Sequence, residues 1–404
     1  MNGNGRHHRR IAALTTLLAF LLGAAVWAND DLNQGLEYFK TGKYAEAAAK
    51  FQTMVDGSPN YDFGYFMLGL SYLQLGKPRD AEGSLLKAIE INGNKFEYHH
   101  GLAKSYLERK DAAKAVATLR TAEPLATTTQ QKFPLYSLRG FAYVELEKWS
   151  EAIDDLDKAR AISPQSSILV QLGRAYMSLG YADKATPVFR QAAQASPGDS
   201  QVNELLAQSL LDMGAEAADD AAKKALYAEA LQAADRVVKL KPNDHQSYNL
   251  VGRAALGAKD YPKAEQSFRK VLAQKPDYCW AMANLGKTYL AQARWADAES
   301  ILVDATKCAP RLGVAFESLG FAQQKQKKLA DAIRSYEAAQ SIKPSNAVAR
   351  AITACKENLD IAAFNEQVAT EEAKADAAEA QAKKEYEEAL KKQQEWEKKR
   401  ERDD

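Results

Sequence analysis

The sequence predicts an all-α protein, built as a solenoid of stacked helix-turn-helix repeats. A glycine or alanine recurs at intervals of 33 to 37 residues, with one longer interval of 45. Tyrosine, alanine and a large apolar residue follow it at fixed offsets. A unit of this length is too short to bury its apolar face alone and needs stacked neighbours. The nine anchor residues of this frame are Gly35, Gly69, Ala103, Gly140, Gly173, Ala207, Gly252, Gly286 and Gly320.

Each offset has a physical reason. Antiparallel helices approach closely only where side chains are small, so each anchor should face the second helix of its unit. Tyrosine stands three residues after six anchors, and alanine and then a large residue stand twelve and sixteen residues after eight of them. Three glycines should end first helices in the left-handed conformation, and recurring prolines should end second helices. These residues are Gly42, Gly76 and Gly180, and Pro59, Pro164, Pro197, Pro242, Pro276, Pro310 and Pro344.

Two irregularities interrupt the frame. Residues 124–132 predict a slightly longer loop between the third and fourth units. The sixth unit has eleven extra residues around 215–226, where pairs such as Asp219 with Lys223 predict lengthened helices. The insertion is either tolerated at a hairpin tip or forms a protrusion for a specific partner.

The repeat array is expected to span residues 29–344. Residues 345–367 keep an apolar spacing and predict a C-terminal capping helix, and residues 368–404 predict a long charged helix rich in Ala, Glu and Lys. This last segment is either a solitary helix or a weak coiled coil through which copies self-associate. Its seven-residue seam consists of Val368, Ala375, Ala382, Ala389 and Trp396.

Residues 1–28 have the layout of a secretory signal peptide. A basic start precedes an apolar run from Ile11 to Val26, and Val26 and Ala28 fit a cut after Ala28. We expect an exported, periplasmic or secreted protein; the alternative is anchoring to the inner membrane by residues 11–27. The whole chain has 54 basic and 53 acidic residues, a balance that gives no general attraction to nucleic acid.

No residue pattern indicates catalysis. The chain has no nucleophile elbow, no HExxH and no phosphate-binding loop. His99 and His100 are adjacent and therefore diverge by about 100° on a helix, which favours packing or groove residues over zinc ligands. We expect no enzyme activity, no metal and no cofactor.

The cysteines offer one structural expectation. Cys279 opens the first helix of the eighth unit and Cys308 lies near the end of its second helix, and an antiparallel hairpin brings these ends together. A disulfide would persist after export and stabilise by roughly 3 to 4 kcal/mol. The alternative is three free thiols, and Cys355 has no partner in either case.

These offsets closely resemble the tetratricopeptide repeat (TPR) family over residues 29–344. The resemblance implies a right-handed superhelical solenoid whose concave groove is lined by first helices and holds extended peptides or helices of partner proteins. It implies no catalysis and no cofactor. The family's carboxylate clamp is not matched, because no unit has Asn one residue after its anchor.

Groove positions carried over from the family give an apolar half followed by cationic positions. A partner with an apolar end and an acidic stretch would suit this lining. Alternatively, the apolar residues pack on each other or on the tail, and the charged residues are only solvated. The positions are Leu32, Leu36, Phe39, Phe63, Phe66, Leu70, Leu73, Lys104, Phe141, Arg174, Arg253 and Lys287.

The sequence therefore predicts a non-enzymatic scaffold of the cell envelope that binds other proteins. The alternative function is an accessory or substrate-carrier subunit that delivers peptide or glycan chains to a separate enzyme. The first predicts stable complexes, and the second predicts weak and exchangeable binding.

Overall fold

A computed structural model describes residues 30–403, so the predicted signal segment 1–28 lies outside the described residues. Those residues form nineteen α-helices and one 3₁₀ turn with no β-strand, which confirms the predicted all-α class. The helices up to Glu216 form one compact unit, and those from Ala217 onward form another. In the first unit the helices are α1 (Asp30–Lys40), α2 (Tyr44–Gly57), α3 (Asp62–Gln74), α4 (Pro78–Ile91), α5 (Phe96–Glu108), α6 (Ala112–Ala122), α7 (Thr129–Glu145), α8 (Trp149–Ile162), α9 (Ser166–Ser178), α10 (Ala182–Ala195) and α11 (Ser200–Glu216). In the second unit they are α12 (Asp220–Leu240), α13 (His245–Gly257), α14 (Tyr261–Gln274), α15 (Cys279–Ala291), α16 (Trp295–Cys308), α17 (Gly313–Lys325), α18 (Leu329–Ile342) and α19 (Asn346–Asp403).

Consecutive helices pair into hairpins, and each hairpin packs on the next. In the first unit α1 pairs with α2, and α2 then contacts α3, a pattern that repeats as far as α11. In the second unit α13 pairs with α14, and the same pattern leads to α19. Burial of each hairpin therefore depends on its neighbours, as the short repeat length requires.

The anchor glycines allow the two helices of a hairpin to touch. A Cβ built on Gly69 would lie 2.6 Å from Cγ of Leu85, and one on Gly252 would lie 2.6 Å from Cε1 of Phe268. Both large residues stand sixteen positions after the anchor and are fully buried. The prediction that each anchor faces its own second helix is confirmed at these positions.

Three of the six tyrosines that stand three residues after an anchor join one hairpin to the next. Their hydroxyl groups meet a polar side chain on the second helix of the preceding hairpin, at distances of 2.9 to 3.2 Å. The polar residue stands seventeen positions after its own anchor each time. The pairs are Arg120 with Tyr143, Asp157 with Tyr176, and Arg269 with Tyr289.

The junction between the third and fourth hairpins differs from the predicted loop. The 3₁₀ turn Glu123–Leu125 follows α6, and α7 already begins at Thr129, so the last four residues of 124–132 are helical. Thr128 and Gln131 form a capping box, in which each side chain bonds the other's backbone amide. The cap supplies hydrogen-bond acceptors to backbone amides at the start of α7 that have no partner within the helix. Because α7 begins at Thr129, the loop is shorter than the sequence predicts.

A buried ion network also lies at this junction. Arg139 is buried on α7 and makes two hydrogen bonds to Asp155 of α8, at 2.6 and 3.0 Å. Its guanidinium group also donates to both carboxylate oxygens of Glu123, at 2.7 and 3.2 Å. The hydrogen bonds from Arg139 lower the pKa of Glu123. The network thus fixes the 3₁₀ turn against the fourth hairpin.

The inserted residues lengthen helices, as predicted. Helix α11 has 17 residues and α12 has 21, whereas α9 and α13 each have 13. The carboxylate of Asp219 accepts a hydrogen bond from the amide of Ala222 and caps α12.

The two predicted C-terminal segments, 345–367 and 368–404, are not separate elements, because Asn346–Asp403 is one continuous helix of 58 residues. Only its first three turns pack on the array, where Val348 and Cys355 are buried against Tyr336 and Ala339 of α18. Beyond Lys356, almost every side chain up to residue 395 is exposed. The capping contact is therefore shorter than the sequence predicts.

Candidate functional site

The first helices of successive hairpins form an inner face in each unit. Helix α3 contacts α5, α5 contacts α7 and α7 contacts α9, and in the second unit α13 contacts α15 and α15 contacts α17. Because these helices approach each other in addition to their hairpin partners, they lie on the more closely spaced side of the stack. Such a surface can hold an extended segment or a helix.

Nine of the twelve predicted partner-binding residues are partly exposed on first helices. Those of α1 and α3 are apolar, and those of the later helices are cationic apart from one phenylalanine on α7. In chain order the nine are Leu32, Leu36, Phe63, Leu70, Lys104, Phe141, Arg174, Arg253 and Lys287.

Three predicted contact residues are core residues instead. Phe39, Phe66 and Leu73 are 4%, 1% and 5% exposed, so the expectation that they contact a partner is wrong. The ring of Phe66 lies 4.8 Å from that of Tyr98 on α5, and the ring of Phe39 meets Tyr44 edge-on at 5.4 Å. These side chains hold neighbouring helices together.

An aromatic cluster supports the partly exposed Phe63. Its ring lies 6.2 Å from Tyr61 and 6.2 Å from Phe66, and Phe66 continues to Tyr98. Burial, together with the nearby Asp62 carboxylate, raises the pKa of Tyr98, whose hydroxyl donates to Asp62 at 3.0 Å. These aromatic contacts between two hairpins therefore hold the partly exposed ring of Phe63 in place.

His100 lies beside Lys104 on the inner side of α5. It stacks on Phe96 with ring centroids 5.6 Å apart, and its neighbour His99 places Nε2 2.9 Å from the carbonyl oxygen of Gly93. Burial, and to a lesser extent Lys104, lowers the pKa of His100 to about 4. At neutral pH His100 is uncharged, so Lys104 supplies the positive charge on this helix.

The second unit has its own inner face. Burial lowers the pKa of Lys287, while Glu317 on α17 acts in the opposite direction. The predicted contact residues did not include two exposed aromatic residues of this unit, Trp280, which is 57% exposed, and Phe321, which is 39% exposed. Trp280 stands six residues before its anchor, as Phe63 does, and Phe321 stands one after its anchor, so the same offsets would have found them.

A shallow pocket of about 410 Å³ lies between α14, α15 and α16. The polar groups beside it pair with each other: Arg269 donates to Tyr289, and Arg294 donates to Glu265 at 2.8 Å. Glu265 also accepts from Tyr289. These bonds link neighbouring hairpins, so the pocket is a gap in repeat packing with a structural lining.

The second unit contains one disulfide in the structure. Cys279 and Cys308 are bonded, with their Cα atoms 5.6 Å apart, and connect the start of α15 to the end of α16. Cys355 is a free, fully buried thiol on α19, and burial raises its pKa.

The described residues 30–403 contain neither a metal-binding cluster nor a membrane-spanning helix. No group of three or more His, Cys, Asp or Glu side chains in that range is arranged to hold a metal ion. No helix in the same range combines the length and hydropathy needed to cross a bilayer.

Comparison with known proteins identifies the repeat. Family models described as tetratricopeptide repeat match residues 66–128 and 215–278, 166–199, and 255–312. A curated relative, BBSome complex member BBS4 of Bos taurus, is 19% identical over 228 residues, which are 56% of this chain and 42% of that protein. The matched region thus spans less than half of the relative.

Solved TPR structures are similar to this chain at low sequence identity. The C-terminal part of a TPR repeat-containing protein from Cytophaga hutchinsonii has a TM-score of 0.50 and 18% identity, over 62% of this chain and 98% of that chain. YrrB, described as a TPR protein with an unusual peptide-binding site, has a TM-score of 0.44 and 21% identity, over 49% of this chain and 95% of that chain.

Proposed function

Because this chain carries tetratricopeptide repeats, we propose that it is a protein-interaction scaffold of the cell envelope. TPR proteins are generally non-catalytic scaffolds that bind other proteins or peptides. We count nine repeats along the chain, one for each anchor residue. The proposal assigns partner binding to the inner face of the first helices.

The arrangement on the first unit carries this proposal. Leu36, Phe63 and Leu70 expose apolar surface on α1 and α3, and Lys104 and Arg174 follow on α5 and α9. An apolar segment would gain about 25 cal/mol per Å² of buried area on the first part. Acidic residues further along the same segment would meet the two cations. The partner class is therefore a peptide or helix with an apolar end and an acidic continuation.

The proposed location is outside the cytoplasm, with anchoring by residues 11–27 as the alternative. Two features support export: the signal-like pattern of residues 1–28 and the bonded pair Cys279–Cys308. Disulfides of this kind persist in oxidising compartments.

The test is recovery of partners from envelope extracts with the protein and a double variant, Phe63→Ser with Leu70→Ser. Both residues are partly exposed, so the fold should survive while the apolar contact is lost. We expect bound partners to fall at least tenfold. The control is Leu86→Ser, since Leu86 is 45% exposed on the second helix α4 and lies off the inner face.

Equal recovery by the double variant and the protein would contradict the groove assignment. Dissociation rates of the recovered complexes separate the two functional readings. Complexes that persist for minutes fit a scaffold, whereas release within seconds fits an accessory subunit that carries substrates to an enzyme.

A further inference from the structure

Helix α19 carries a second apolar surface that does not contact the array. Ile361 and Phe364 are 58% and 64% exposed, and Tyr386 and Leu390 are also exposed. At about 100° per residue, these side chains fall within a strip roughly 80° wide along one side of a straight helix. The strip, here called the outer stripe, comprises Ile361, Phe364, Val368, Ala375, Ala382, Tyr386 and Leu390.

The outer stripe lies on the side of α19 that faces away from the last hairpin. The residues that pack on α18, Val348 and Cys355, are buried and lie roughly opposite the stripe around the helix axis. Leu359 lies on the same side of the helix as Val348 and Cys355 and is 41% exposed. The stripe is therefore not a continuation of the capping contact, and closer packing of α19 on its own array would leave it uncovered.

Charge is distributed unevenly along the exposed part of this helix. Residues 357–380 include seven acidic residues and one basic residue, a net charge of −6. Residues 381–404 include eight of each sign, so their net charge is zero. A parallel pair of such helices would align two strongly acidic halves, whereas an antiparallel pair would align each acidic half with a neutral one that offers lysines.

Side-chain size along the stripe does not distinguish the two orientations, so charge does. Bulky side chains lie at both ends of the outer stripe, and the small Ala375 and Ala382 lie between them. Helix separation depends on the side chains at the contact, so two stripes can approach most closely at their centres.

We propose that the occupant of the outer stripe is a second copy of this chain, with the two α19 helices paired antiparallel. The contact has two-fold symmetry, so each copy uses the same surface and each stripe is covered once. It is separate from the inner face, and it stands or falls independently of the proposed partner binding.

Sedimentation velocity measures this association. The full purified protein is tested at concentrations from about 1 to 100 µM. We expect a concentration-dependent dimer and at least a tenfold higher dissociation constant for Phe364→Glu, because a carboxylate would be buried in the stripe. The matched control is Leu359→Glu on the other side of the helix, for which we expect less than a threefold change. A monomer throughout this range, or equal effects of the two variants, would overturn the proposal.

Orientation is tested by spin labels on Asn365→Cys or Ala380→Cys, since Cys355 is buried and the other cysteines are bonded. In an antiparallel pair centred between residues 375 and 382, labels at 365 should be at least about 30 Å apart and labels at 380 within about 25 Å. Short distances at both positions would show a parallel pair and contradict the inference. The Phe63 and Leu70 double variant should dimerise normally.

Discussion

At the scale of single residues, one backbone position recurs in eight hairpins with different side chains. It stands seven residues after the anchor, where the first helix ends, and it has a positive φ of 55° to 78° in each. This left-handed conformation costs L-residues roughly 1 to 2 kcal/mol. Glycine fills it at Gly42, Gly76 and Gly180, whereas Lys110, Glu147, Lys259, Ala293 and Lys327 fill it elsewhere.

We predict that Ala293→Gly stabilises the protein by about 1 kcal/mol. Glycine adopts the left-handed conformation without the steric cost that alanine has. Part of this gain in the free energy of unfolding is lost because glycine has more conformational freedom in the unfolded chain. Gly180→Ala should lower stability by a similar amount, and no atom lies within 4 Å of the added Cβ, so the loss is conformational. Thermal unfolding followed by circular dichroism measures both; a lower midpoint for Ala293→Gly would contradict the argument.

The inner-face residues show how far sequence offsets reach at this scale. The offsets predicted twelve contact residues on first helices, but Phe39, Phe66 and Leu73 are buried. Whether an aromatic residue is presented or buried depends on neighbours such as Tyr98, which is 32 residues away from Phe66 in the sequence. Periodicity alone does not determine such contacts between hairpins.

At the scale of elements, Arg139 departs from the frame in a way that the sequence already shows. It stands one residue before its anchor, where seven of the other eight units have Leu or Val. A charged residue in an apolar position predicts a buried partner, but only the structure identifies Asp155 and Glu123. The network replaces regular apolar packing at the junction with the 3₁₀ turn.

We predict that Asp155→Ala destabilises the first unit by about 3 kcal/mol, because it leaves the buried Arg139 without its closest partner. Replacing both residues, as Arg139→Met with Asp155→Leu, should lose clearly less, since no uncompensated charge remains between them. Urea unfolding of the three proteins measures the difference. As a surface control, Asp331→Ala removes the exposed pair with Arg334 and should change stability by less than about 0.5 kcal/mol. A double variant as unstable as Asp155→Ala would count against a charge-based explanation.

The last helix shows a second limit of sequence reading at this scale. Residues 346–404 contain no proline or glycine, so nothing marks a boundary between the predicted capping and charged segments. The change in composition near residue 368 indicated two elements, whereas backbone continuity depends on the absence of a helix breaker. The structure has a single helix, and only its start contacts the array.

At the scale of the whole molecule, stability should be distributed locally, because the helix contacts within residues 30–403 run mainly between neighbouring hairpins. The repeat period and the anchors predict the all-α class because similar contacts between neighbouring hairpins recur along the array. The role of residues 1–28 and the identity of the partners do not follow from these contacts.

We predict that Gly173→Ala speeds amide hydrogen exchange in α7 to α10 and leaves α15 and α16 unchanged. The added Cβ would overlap the ring of Phe189, and overpacking typically costs about 1 to 3 kcal/mol. Mass spectrometry of exchanged peptides measures the effect. Gly83→Ala is the control, since its Cβ would meet no atom within 4 Å and alanine favours a helix. Faster exchange throughout both units would show long-range cooperativity and would contradict local stabilisation by neighbouring hairpins.

The unbroken length of α19 sets a reach for this protein. From Lys356 to its end at Asp403 the helix extends about 70 Å at 1.5 Å per residue. A flexible linker of the same length would average only about 40 Å between its ends and would vary widely. A molecule held at the tip would therefore stand at a nearly constant distance from the last hairpin, as if on a rigid spacer.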